Sequence, residues 1–254
     1  MSGCIEIPKN VDAHCVSRLQ ELVSSIRSFL ITQTRRASNN VELEIRLGNA
    51  KTNGNFSSDI GEISWMKFIG AMDAQRGWTK IIEPYEIIDF FYTVEKDNGG
   101  KKDIRTSRYV KDGVICLEHL EKKRVNKCML NIFGVSNLLN TIKVSFNTEE
   151  PVAKTELPEV TSTTKVRIKH RRSYVWKEWR YDLTTVWTAP TYAGCIRIRD
   201  DPSMSQQHAT YEIEVECVDP ISYFEKQHHT DEYISVSILM KIIGMLPNTN
   251  INIK

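Results

Sequence analysis

Several signatures that would settle a function at once are missing. The six cysteines, Cys4, Cys15, Cys116, Cys128, Cys195 and Cys217, contain no C-x-x-C pair, which argues against a zinc ribbon and for free thiols in a reducing compartment. No G-x-x-x-x-G-K-[ST] stretch occurs, so a P-loop is not the phosphate-binding device. No apolar run approaches the ~18 residues that a membrane span needs, and the N-terminus lacks a signal-peptide pattern. The formal net charge is only +2 over 254 residues, so any contact with nucleic acid must come from local clustering of charge. There is no repeat of fixed period and no low-complexity segment. What remains is an ordinary globular mixture, 41% hydrophobic and 26% charged, with enough apolar material for a core. We expect a soluble, intracellular protein without membrane contact.

The apolar spacing predicts a loose tail over 1–10 and a helix over 11–34, with Cys15, Leu19, Leu22, Val23, Ile26 and Leu30 at helical spacing. A strand follows at 41–47, a polar loop at 49–58 and a helix at 59–75. That helix has Ser57, Ser58 and Asp59 as candidate N-caps and a stripe of Ile63, Met66 and Ile69, with Phe68 beside it and Met72 a turn later. Seven more strands are predicted, at 80–95, 103–110, 114–132, 141–149, 164–176, 179–187 and 209–218. Pro84 limits the first of these to an edge or bend at its start. Asp112-Gly113 suits a hairpin turn because both residues tolerate positive φ. A helix at 231–246 closes the chain, with Ile234, Ile238, Ile242 and Met245 on one stripe. Two long loops remain, 150–162 and 188–207, and the second is the better candidate for a mobile lid.

The strands share one property. In "VELEIRLGN" (41–49) Val41, Leu43, Ile45 and Leu47 fall on one face, and Glu42, Glu44 and Arg46 on the other, because strand side chains alternate. The basic strand sets Lys165, Arg167, Lys169 and Arg171 opposite Val166 and Ile168. Arg180, Asp182 and Thr184 lie opposite Tyr181 and Leu183. Glu212, Glu214 and Glu216 lie opposite Ile213, Val215 and Cys217. Lys143, Ser145, Asn147 and Glu149 lie opposite Ile142, Val144 and Phe146, and "DIRTS" adds Arg105. A solvated sheet face explains any one such strand. Across the set the charges segregate, acids on the first and last strands and bases on 165–171, and the amphipathic helices need the apolar faces to pack on. About eight antiparallel strands can close with a narrow lumen, so the expected architecture is α+β, a closed antiparallel eight-stranded β-barrel flanked by helices, with the charges inside. Opposed, unpaired charges there are costly but become useful if a divalent cation sits on the acids and a polyanion on the bases. Glu-x-Glu offers neighbouring oxygen ligands for Mg²⁺ or Mn²⁺, and Arg and Lys ladders hold phosphate oxygens. Such an interior suits removal of a terminal phosphate.

The ordered stretches "VELEIRLG", "LEKKRV", "VSFNTEEPV", "RIKHRRSYVWKEWRYDLTTV" and "YEIEVE" resemble the triphosphate tunnel metalloenzymes. They are most similar to the metal-dependent messenger-RNA 5′-triphosphatases of fungi, protozoa and some viruses. The resemblance implies a single tunnel domain over 1–254 that is a polynucleotide 5′-phosphatase. It would hydrolyse the γ-phosphate of 5′-triphosphate RNA to a 5′-diphosphate end, the first step of mRNA cap formation, with a Mn²⁺-dependent nucleoside triphosphatase activity besides. It implies that Glu42, Glu44 and Glu216 coordinate Mg²⁺ or Mn²⁺, and that Arg105, Lys169 and Arg171 hold the γ-phosphate. Lys122 approaches the same phosphate, with Lys123 and Arg124 as alternatives. Glu149 orients or deprotonates the attacking water, with Glu150 as its rival. Asp182 and Glu214 hold metal-bound water, and Arg167, Arg180, Thr184 and Glu212 complete the tunnel network, with Arg167 and Arg180 also binding phosphate and Arg180 with Asp182 being equally a structural ion pair. The implied partners are the 5′ end of nascent RNA and an RNA guanylyltransferase, the location is the nucleus, and the chain is expected to be a monomer.

Two rivals remain open. One is another tunnel phosphohydrolase, acting on inorganic or thiamine triphosphate. The other is a non-catalytic barrel that binds RNA or another polyanion. Elsewhere the plain readings hold: His228-His229 is a solvated loop pair, the five tryptophans are core residues rather than base-stacking platforms, and "KHRR" (169–172) alternates faces in a strand rather than serving as a localisation signal.

Overall fold

The computed structural model describes residues 13–34, 41–95, 99–131, 141–157, 163–220, 223 and 230–245. The predicted tail and the His228-His229 pair lie outside them. Helix α1 (Ala13–Thr34) precedes β1 (Val41–Ala50) and the short β2 (Phe56–Ser57). Helix α2 (Glu62–Ala74) leads to β3 (Lys80–Glu95), β4 (Lys101–Lys111), β5 (Val114–Asn131), β6 (Thr141–Pro151), β7 (Thr163–Trp176) and β8 (Trp179–Ala189). Two short helices, α3 (Tyr192–Asp200) and α4 (Pro202–His208), precede β9 (Thr210–Cys217) and α5 (Asp231–Met245).

The order of strands around the sheet is β2-β1-β6-β5-β4-β3-β7-β8-β9. A further β1–β9 ladder, Leu43↔Cys217 to Leu47↔Ile213, closes it. All neighbours are antiparallel, so β1 and β3–β9 form the expected eight-stranded barrel, and β2 hangs on its edge through Asn49↔Ser57. Gly48 permits that edge: a Cβ there would stand 2.1 Å from the Ser57 carbonyl.

The alternation sorts the faces as the sequence demands. Leu43, Ile45, Leu47, Ile142, Val144, Ile213 and Val215 point outward and are buried at 0–1% exposure. They are covered by Leu22, Ile26, Phe29 and Leu30 of α1 and by Ile234, Ile238, Leu239 and Ile242 of α5. Each such side chain contributes roughly 1.5–3 kcal/mol on burial, so the helices hold the apolar face outside and force the charged face inside. A second apolar cluster, Ile88, Val166, Ile168, Trp187 and Cys195, lies under α3. Trp179 is fully buried and Trp187 nearly so, whereas Trp176 keeps 38% exposure. The described cysteines, Cys116, Cys128, Cys195 and Cys217, are free thiols.

Three local expectations are corrected. The segment 188–207 is mostly helical rather than loop: Thr191 caps α3 by accepting from the Gly194 N–H, and Asp201 caps α4 by accepting from the Ser203 N–H. On α2, Phe68 and Met72 are buried while Ile63 and Met66 are 76% and 58% exposed. The helix is apolar on two sides, and packing on β9 selects the other one. Its N-cap position is Gly61; Asp59 instead accepts from the Gly61 and Tyr211 backbone N–H groups.

Candidate active site

The barrel encloses a cavity of about 650 Å³ lined by side chains from all the strand families that carry charge. Glu42, Glu44 and Arg46 enter from β1, Arg105 from β4, Lys122 from β5, Glu149 from β6, Lys169 and Arg171 from β7, Arg180 from β8, and Glu214 and Glu216 from β9. These positions alternate with the buried outward residues, so the period-two rule alone brings them together.

The acids gather at the β1–β9 closure. Glu44 is the Cα partner of Glu216. The Lys122 ammonium pairs with Glu42, lies 3.1 Å from Glu44 and 3.6 Å from Glu149. Asn147 donates to Glu42 at 2.9 Å. Arg180 donates to Glu216 at 2.5 Å and to Asp182 at 3.0 Å. Burial, with the nearby Glu42 and Asp182 carboxylates, pushes Glu216 up to about 7 against the opposing pull of Arg180.

The bases gather on the facing wall. Arg171 Nη1 lies 2.8 Å from Asp182, and its Nη2 3.3 Å from Glu214. Its Nε donates to the Thr184 hydroxyl at 3.3 Å. Asp182 is fully buried and also accepts from Ser173 at 2.6 Å. Burial opposes the Arg171 charge, but Asp182 and Glu214 hold Arg171 well above its ordinary value. Arg46, Arg171 and Lys169 likewise overcome burial and hold Glu214 well below the usual carboxylate range. Arg105 donates to Glu149 at 3.3 Å. Lys169 is pushed down to about 8 by burial, against the pull of Asp89, whose carboxylate lies 2.5 Å away. At the far end Arg167 donates to both oxygens of Glu212 at 2.8 Å; this pair does not line the cavity.

The structure separates the alternatives that spacing left open. Lys122 and Glu149 are register partners facing inward. Lys123 and Glu150 pair with each other at 2.8 Å on the outside, each about half exposed, and Arg124 is exposed. Within "KHRR", His170 and Arg172 turn outward to Glu86 and Asp73.

Two site residues were not assigned from the sequence. Arg46 bridges Glu44 and Glu214, the latter at 2.7 Å. Asp89 is 1% exposed and accepts from Ser107 at 2.7 Å as well as pairing with Lys169. Burial works to raise its pKa, but Lys169 and Arg105 hold it below the usual carboxylate range. Its signal was a lone acid in the apolar run "IIDFF".

Among the described residues no three His, Cys, Asp or Glu side chains converge into a ready-made metal cage. The donor chemistry nevertheless suits a hard divalent cation. Three carboxylates on adjacent strands are held apart by a lysine and an arginine, and one of them, Glu216, is raised in part by like-charge repulsion that such a cation relieves.

Residues 31–244 match the family described as mRNA capping enzyme, beta chain. The fold is shared with the S. pombe RNA triphosphatase Pct1, solved alone and in complex with the Spt5 CTD. Both give 18% identity and a TM-score of 0.62, the first covering 92% of this chain and 94% of that one, the second 91% and 92%. The RNA triphosphatase domain of a trifunctional mimivirus mRNA capping enzyme is also similar, at 16% identity, 87% and 98% coverage and a TM-score of 0.45. No curated protein matches by sequence.

Proposed function

The chain belongs to the mRNA capping enzyme, beta chain, family and is an RNA 5′-triphosphatase of the tunnel type, and from that premise we propose how its residues perform the reaction and under what conditions. The observation that carries the reading is the convergence, in one cavity, of Lys122, Arg105 and Glu149 with the acid group on one side and the Lys169–Arg171 pair on the other.

In this reading the 5′-triphosphate of RNA lies along the cavity. Arg105, Lys169 and Arg171 hold the γ-phosphate oxygens, and Lys122 moves from its carboxylates onto the same group. Arg167, donating from one nitrogen to both oxygens of Glu212, forms an ion pair just outside the cavity lining. Glu149 accepts a proton from water, whose oxygen attacks the γ-phosphorus; the β–γ bridging P–O bond breaks, leaving inorganic phosphate and a 5′-diphosphate end. Positioned positive charge around the equatorial oxygens stabilises the transition state more than the ground state. Thr184 and Asp182 keep the Arg171 fork aimed, and Arg180 braces Asp182 and Glu216. Enzymes of this family are generally metal-dependent. Glu42, Glu44 and Glu216 would hold Mg²⁺ or Mn²⁺, with Asp182 and Glu214 supporting that site, and the cation would supply neutralisation of the phosphoryl charge.

The proposal extends to a Mn²⁺-dependent nucleoside triphosphatase activity, since the chemistry is confined to the triphosphate. It also places the protein in the nucleus, as a monomer in a single tunnel domain, handing its product to an RNA guanylyltransferase. The test compares phosphate release from 5′-triphosphate RNA, inorganic triphosphate and thiamine triphosphate. Highest kcat/KM on RNA supports the reading; preference for either small triphosphate overturns it in favour of another tunnel phosphohydrolase.

A further inference from the structure

The cavity has a polarity along its axis. On one side the Arg167–Glu212 pair lies just outside the lining. The lining continues toward the other end past the charged centre to Lys80, Ile82 and Tyr85 of β3 and Tyr109, Val110 and Lys111 of β4. These residues sit where β3 begins and β4 ends. The β3–β4 ladder stops at Ile87↔Tyr109, and the β5–β6 ladder starts at Leu120↔Pro151. Between those limits β4 and β5 pair with each other as far as Lys111↔Val114, with one further backbone bond at the base, from the Val152 N–H to the His119 carbonyl. Its turn is made by Asp112 and Gly113, both at positive φ. The hairpin therefore projects beyond the barrel wall at the open end.

The chemistry of this rim differs from that of the interior. Tyr85 is the register partner of Arg171, and Tyr85 and Tyr109 both line the cavity. The two phenols are partly exposed, and Lys80 and Lys111 are exposed without an ion-pair partner among the described residues. Glu118 and Asp112 share the rim and can accept from ribose hydroxyls. Two phenol rings on one rim with lysines beside them form the combination that holds single-stranded nucleic acid: rings for bases, cations for the backbone.

We propose that the Tyr85–Tyr109 pair and the flanking Lys80 and Lys111 form a ledge that binds the first nucleosides of the RNA as it leaves the tunnel. Tyr109 stacks on the first base, and the lysines meet the phosphates that follow. The ledge rests on the reading of the cavity as an RNA 5′-triphosphatase site. It explains how a tunnel whose chemistry touches only phosphates can prefer an RNA end to a free triphosphate.

The test is fluorescence anisotropy with a 3′-labelled 5′-diphosphate RNA, the reaction product, so that binding is read without turnover. Tyr109→Ala should weaken binding about tenfold, and Tyr109→Phe, which keeps the ring, should restore it. The double variant Lys80→Glu/Lys111→Glu should weaken binding and flatten its dependence on salt, whereas Tyr109→Ala should leave the salt slope intact. Circular dichroism checks that each variant is folded. Unchanged affinity in folded Tyr109→Ala and in the double-lysine variant overturns the ledge. Failure of the wild-type protein to release phosphate from triphosphate RNA, with binding and its loss as described, overturns the catalytic reading instead.

Discussion

Glu44 and Glu216 stand directly opposite one another in the β1–β9 ladder, the pairing that closes the barrel. Like charges at such a position are destabilising. Here Lys122 and Arg46 offset one carboxylate and Arg180 the other. The closure of the fold and the acid side of the site are thus the same piece of structure, and stability has been given up for a cluster that suits a cation.

Glu216 makes that cost measurable. Its folded pKa, about 7, lies above its ordinary value. The stability it contributes is therefore fully present below the unfolded value and is lost as pH rises through 7. Glu216→Gln removes the titration and leaves Arg180 paired with Asp182. In EDTA, urea unfolding should show the variant equal to wild type near pH 4.5 and more stable by ~1–3 kcal/mol at pH 8. A constant difference across that range would contradict the assignment.

The two lysines and two glutamates at the β5–β6 ladder should separate sharply. Lys122→Met and Glu149→Ala should each lower kcat/KM on triphosphate RNA by ~100-fold or more. Lys123→Met and Glu150→Ala remove an exposed surface pair, with a longer Lys123–Glu121 contact at 3.5 Å, and should leave activity unchanged and stability within ~1 kcal/mol. Comparable losses in both sets would mean that facing the cavity is not what matters.

Asp89 should control the alkaline limit of the reaction. The ammonium of Lys169 is held charged against burial by this carboxylate. Asp89→Asn removes the negative charge, so the pKa of Lys169 falls and the alkaline limb of kcat/KM, which reports the free enzyme, moves to lower pH. Because a buried ion pair is broken on one side, stability should also drop by ~3 kcal/mol. An unmoved limb in a folded variant would free Lys169 from this dependence.

Much of the barrel was legible because β1, β6, β7, β8 and β9 have two strongly typed faces, and side-chain alternation leaves little freedom once the helices claim the apolar one. β3 was harder: Tyr85, Ile87 and Phe91 alternate with Ile88, Phe90 and Tyr92, so neither face declares itself and Asp89 passed for an isolated charge. Arg46 was visible on the charged face, but spacing does not show that its partner is Glu214, 168 positions away in the strand that closes the barrel. Alternation put Glu149 on the charged face, but choosing Lys122 over Lys123 needed the register of the β5–β6 ladder, which a bulge between Arg124 and Asn126 shifts. On α2 periodicity found Ile63, Met66 and Ile69 with Phe68 beside them and Met72 a turn later; packing buries Phe68 and Met72, keeps Ile69 against the core and leaves Ile63 and Met66 exposed. The α3–α4 segment carries capping residues but little apolar periodicity, and so reads as a loop.

The measurement that bears most directly on the account is γ-phosphate release from 5′-triphosphate RNA by the purified protein, with Mg²⁺ and with EDTA, beside Glu44→Ala. Release that requires the metal and falls by at least ~100-fold in a folded Glu44→Ala is the predicted result. Release that persists in EDTA or survives the substitution would contradict the role given to the β1–β9 acids, and no release by folded wild-type protein under any metal would leave a barrel that binds RNA without cleaving its end.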